Sequence, residues 1–140
     1  MDIEQKLLTM ERKAILSTLW IFVLLNMIFR DFHELVRPGL LEEMMTGIVN
    51  GTQVTDELLL LGGIMAEVFI IMVILARVLK ARANRWANII VGTISIMLVV
   101  SNNTAPDLDD IFFAAIEVTA LAVIVWYAWT WPTKLEGLHE

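Results

Sequence analysis

Residues 107–131 form one uninterrupted stretch of helix length, Asp-Leu-Asp-Asp-Ile-Phe-Phe-Ala-Ala-Ile-Glu-Val-Thr-Ala-Leu-Ala-Val-Ile-Val-Trp-Tyr-Ala-Trp-Thr-Trp, with acids at its head, aromatics at its foot and Glu117 inside. About 20 predominantly apolar residues are needed to cross a bilayer as a helix, so the stretch reads as a membrane span. A carboxylate within hydrocarbon costs about 2.5–3.5 kcal/mol on insertion scales. Glu117 therefore requires a partner, a proton or a water-filled pocket. Composition agrees with a lipid environment: 58% of the 140 residues are hydrophobic and the mean hydropathy is +0.72, against about 45–50% apolar residues in soluble domains.

Three further apolar runs accompany the first. The expected spans are 14–36, 58–80, 86–102 and 108–131 of a single membrane domain. Residues 1–13 suit a short interfacial helix. The uncharged part of the first span is too short on its own, so its helix should continue through Arg37, with Pro38-Gly39 as the stop. Residues 38–57 form the longest connection, an outer loop with room for a short surface helix and with Gly47, Asn50 and Gly51 as breakers. Thr55, followed by Asp56 and Glu57, is suited to cap the second span. Ala81-Arg-Ala-Asn-Arg85 reads as a tight basic turn, and Asp107 as the cap of the fourth helix. The expected fold class is all-α: an integral membrane, up-down-up-down four-helix bundle.

Charge sets the orientation. Arg77, Lys80, Arg82 and Arg85 surround the connection between the second and third spans without an acid, whereas the first loop carries Asp31, Glu34, Glu42, Glu43, Asp56 and Glu57 against Arg30 and Arg37. Loops rich in Lys and Arg stay in the cytoplasm. Both termini are then cytoplasmic, and Trp86, Trp126, Tyr127, Trp129 and Trp131 fall at the inner interface as an aromatic belt. The start of the chain is not that of a signal peptide. A net charge of −6 argues against a general nucleic-acid binder. The absence of cysteine excludes disulfides, thiolate metal sites and cysteine nucleophiles.

Thr18-Leu-Trp-Ile-Phe-Val-Leu-Leu-Asn-Met-Ile-Phe-Arg-Asp31, Asn84-Arg-Trp-Ala-Asn-Ile-Ile90, and Asp107-Leu-Asp-Asp-Ile-Phe-Phe-Ala114 followed by Trp126-Tyr-Ala-Trp129 resemble a family of small, mostly bacterial, multi-span membrane proteins of unknown function. The resemblance covers Ser17 to Pro132. It implies four spans in a bacterial inner membrane, and it assigns no catalytic residues.

The polar residues inside the spans define the candidate site: Arg30, Glu67 and Glu117, with Asn26, Asp110 and Glu34. Asn26, Arg30, His33 or Glu34, and Arg37 recur at helical spacing on one face of the first span, while Asp110, Ala114 and Glu117 share a face of the fourth. At about 1.5 Å per residue, Glu67 lies roughly 13 Å below Leu58 and Glu117 roughly 12 Å below Asp109. Side chains lean toward the start of their own helix. Arg30 should therefore lean into the membrane while both acids lean outward, so the three charges are expected to converge on one level.

Several functional readings follow. Two acids and one base leave a carboxylate unmatched, which suits a site for a proton, an ion or a small polar ligand in transport or permeation. Alternatively, Arg30 bridges Glu67 or Glu117 to hold the helices together, in a structural or assembly protein. A third reading is a small membrane enzyme acting on a lipid or quinone with Glu67 or Glu117 as acid or base, although no nucleophile motif, phosphate loop or zinc signature is present. No metal or cofactor is expected. The acids at 107, 109 and 110 suit helix capping better than a divalent cation with Glu34, and the small-residue face Ala115, Thr119, Ala122 is suited to contact between copies of the chain.

Overall fold

A computed structural model describes residues 3–102 and 108–132. Five helices account for most of it: α1 (Ile3–Glu34), α2 (Leu40–Thr46), α3 (Asp56–Val78), α4 (Ala81–Asn102) and α5 (Leu108–Trp129). All but α2 are long and apolar enough to cross a membrane. The cap expected at Asp107 lies outside the described residues.

Local chemistry accounts for most of the boundaries. The Thr55 hydroxyl accepts from the Leu58 amide at 3.3 Å, the cap expected of it. α1 ends at Glu34, short of Arg37, in a tightened turn where Val36 and Arg37 donate to carbonyls three residues back. The proline at 38 explains this, because the residue before a proline is disfavoured in helical geometry. At its other end α1 runs unbroken from Ile3, so the expected interfacial segment and the first span are one 32-residue helix. The connection 38–57, expected to be an outer loop, contains the short helix α2 and also a two-residue-strand hairpin, β1 (Ile48–Val49) paired with β2 (Thr52–Gln53). Its turn is Asn50-Gly51, both at positive φ (51° and 75°), the geometry that matches the strand twist. Ala81–Arg85, expected to be a turn, is the first part of α4; the chain reverses at Leu79 and Lys80.

The helices alternate in direction. Along α1 and α5, Arg12 meets Tyr127, Asn26 meets Phe113 and His33 meets Asp109. Along α1 and α3, Ser17 meets Val73 and Trp20 meets Phe69. α1 is thus packed between α3 and α5, and α4 lies along α5. The buried apolar core, including Leu16, Trp20, Met72 and Ile124, sits toward the end that holds the α3–α4 turn. At the opposite end the first two turns of α3 are exposed on all sides.

A chain of hydrogen bonds locks the core end. Trp20 Nε1 donates to Asn88 Oδ1 at 2.7 Å, Asn88 Nδ2 donates to Asn84 Oδ1 at 2.6 Å, and Asn84 Nδ2 donates to the Ala76 carbonyl at 2.6 Å. Both asparagines are fully buried. The relay ties α1, α4 and α3 together and satisfies a carbonyl in the last turn of α3 that has no partner within its own helix. Gly92 brings α4 onto α5: a Cβ there would lie 2.7 Å from Val125 Cγ2. We therefore expect Gly92→Ala to lower thermal stability in detergent by about 1–3 kcal/mol through overpacking. Adding Val125→Ala should recover part of the loss, as read by unfolding of the single and double variants.

Candidate functional site

The site lies between α1 and α5, toward the end of the bundle away from the asparagine relay. Asn26 and Arg30 are one turn apart on α1 and face α5. Arg30 Nη1 donates to Glu117 Oε2 at 3.2 Å, an ion pair in which the arginine side chain is 29% exposed and the glutamate 1%. Arg30 reaches Glu117 because each side chain leans toward the start of its own helix, and in antiparallel helices those directions oppose. Asn26 lies close enough to bear on the carboxylate, while its Nδ2 donates to the Phe113 carbonyl at 3.2 Å. Ala114, one turn before Glu117, is buried in the same contact.

The pair is incompletely satisfied. Glu117 Oε1 and Arg30 Nε are both buried and have no hydrogen-bond partner among the described residues. A carboxylate oxygen sealed in apolar surroundings without a donor is costly. The asymmetry matters: the Arg30 side chain is partly exposed, whereas Glu117 is sealed. Chemically, the arrangement provides a partly exposed cation beside a sealed carboxylate, one of whose oxygens lacks a partner among the described residues and could take a proton or face a cation.

Charged groups continue outward from this pair. Asp31 is exposed, and Glu34 and Asp110 are half-buried and bear on each other across the ends of α1 and α5. His33 Nε2 lies 3.6 Å from Asp109 Oδ2. The structure thus brings Asn26, Arg30, Glu34, Asp110 and Glu117 to one side of the α1–α5 contact. Among the described residues no three His, Asp or Glu side chains are gathered to hold a metal ion.

Glu67 does not join them. It is exposed and makes no hydrogen bond or ion pair among the described residues. Phe69, Met72 and Ala76 form the buried face of α3, and a residue two positions before Phe69 points about 200° away from it at 3.6 residues per turn. The expected meeting of three charges is therefore a meeting of two. Depth arithmetic gives the level of a side chain along a helix but not the direction in which it faces.

The fully buried Asn84–Asn88 relay was missed by reasoning from charge. The available signal was two amides four residues apart, which share a helix face, with Arg82 and Arg85 on other faces. At the same end Arg12 lies over the Tyr127 ring at 4.8 Å and Arg85 over Trp129 at 5.6 Å, so the aromatic side chains hold cations there.

Residues 6–136 match the Family of unknown function (DUF6326). The chain belongs to this family. No curated protein and no solved structure matches it. Membership fixes kinship over nearly the whole chain and brings no chemistry with it.

The unequal exposure of the two partners yields an unequal cost. Arg30→Met strands a sealed carboxylate and should lower stability by about 3 kcal/mol. Glu117→Gln leaves an arginine that can turn to solvent and should cost clearly less. Thermal unfolding of both variants checks the order; equal losses would contradict it.

Proposed function

We propose that this protein is a four-span protein of a bacterial inner membrane, with both termini in the cytoplasm. In this reading the Arg30–Glu117 pair receives a proton or small cation from the outer side. The observation that carries the reading is the free, sealed Oε1 of Glu117 behind a partly exposed arginine. Supporting it are the four helices of spanning length and the acids Asp31, Glu34, Asp109 and Asp110 around the outer end of the α1–α5 contact. Such a rim concentrates cations near its mouth, and intramembrane ionisable residues are most often part of ion or proton pathways. Asn26 serves as the polar neighbour that orients the pair, and Arg30 as the gate: its departure from Glu117 frees both carboxylate oxygens.

A second reading is favoured by the ion pair itself. Arg30 bridges α1 and α5 directly, and the same contact serves as a clamp in a structural or assembly protein.

Purified protein in liposomes with an entrapped pH-sensitive dye separates the two. The site reading predicts that the native chain dissipates an imposed pH gradient faster than empty liposomes. Glu117→Gln should match empty liposomes while keeping a near-native unfolding temperature. Sodium- and potassium-sensitive dyes extend the test to cations. The clamp reading predicts no flux from the native chain and lowered stability in the variant. For orientation, single cysteines at Arg82 and Leu108 should react with an impermeant reagent from opposite sides of the membrane; labelling from the same side would overturn the topology.

A further inference from the structure

Glu67 is the central residue of α3, eleven positions from Asp56 and eleven from Val78. It belongs to the outward face formed by Leu60, Gly63, Ile64, Ile71 and Ile74, all exposed. These positions follow helical spacing, and the face is apolar apart from Glu67. Gly63 lies one turn before it, and a Cβ at Gly63 would meet nothing within 4 Å. The side chain of Glu67 leans toward this notch.

A midspan carboxyl without a partner among the described residues conflicts with a hydrocarbon environment around α3. Ionisable groups at such depth pair with another group or face water, and hydrocarbon supplies neither. We propose that the outward face of α3 is the contact between two copies of this chain, with Glu67 of each meeting Glu67 of the other. The inference rests on the membrane reading above.

Three features favour a second copy as the occupant. Two copies inserted by the same rules are parallel, so a twofold axis normal to the membrane brings every residue of α3 to the depth of its own counterpart. A twofold contact requires a self-complementary surface, and a carboxyl group carrying one proton between two copies is both donor and acceptor. Gly63 lets the backbones approach at the level where the carboxyls meet, in the manner of small-residue crossings. The exposed face Ala115, Thr119, Ala122 on α5 lacks such a demand, because the Thr119 hydroxyl already donates to the Ala115 carbonyl at 2.7 Å.

The chain has no cysteine, so single substitutions report contacts in native membranes. Under mild oxidation Leu60→Cys and Ile71→Cys should give disulfide-linked dimers, and Thr119→Cys should not. In the Leu60→Cys background, Glu67→Gln should preserve cross-linking because an amide is also donor and acceptor. Glu67→Leu should slow it about threefold or more, and Gly63→Leu should abolish it. Dimers through Thr119→Cys alone, or a membrane-embedded chain with no cross-link at any position, would overturn the interface and leave the Arg30–Glu117 reading standing. A chain absent from the membrane fraction would overturn both.

Discussion

Hydrocarbon offers no hydrogen bonds, so each polar group carried into a bundle of apolar helices must find its partner within the protein. The packing of α1 between α3 and α5 meets that demand at two levels. At one, Arg30 crosses to Glu117. At the other, Trp20 crosses to Asn88 and on through Asn84 to the end of α3. These contacts fix the register of α1 against its neighbours, which the apolar side chains alone would leave free to slide. The two levels differ in chemistry. The asparagine relay is neutral, closed, and suited to holding three helices in place. The ionic level keeps a carboxylate oxygen and a guanidinium nitrogen without partners among the described residues. That difference is the ground for the exchange role proposed for Glu117.

Much of this was legible in the sequence, for physical reasons. Four apolar runs near spanning length dictate four long helices, and Thr55 marks the start of α3 because a hydroxyl ahead of two acids caps a helix. The Arg30–Glu117 contact was visible from depth and side-chain lean together. Glu67 was misplaced because α3 is apolar nearly all round, so no hydrophobic stripe reveals which side faces the bundle. The start of α4 was set too late for a related reason. Charged residues in Ala81–Arg85 suggested a loop, while the Asn84 amide, bound to the α3 terminus, folds them into the first turn. The hairpin at Asn50-Gly51 went unread because its strands are only two residues long.

Membership in a family of unknown function leaves the reading of this site to its geometry. The partly exposed arginine, the sealed glutamate and the acidic rim align along one side of the α1–α5 contact. Glu67, on the far side of α3, belongs to a separate problem, a surface that makes sense when covered. Glu117 meets Arg30 within its own chain, and for Glu67 we propose a partner in a second copy.

The exchange role proposed for Glu117 requires that water from the outer side reach the buried end of the α1–α5 contact. Ala114, buried one turn before Glu117, is the position to probe, since Ala114→Cys alters little volume and leaves the ion pair intact. In oriented membranes a small, charged, impermeant thiol reagent should modify this cysteine from the outer side and not from the inner side. Failure to react from either side, with the protein folded and inserted, would show a sealed ionic fastening and contradict the exchange role proposed for Glu117.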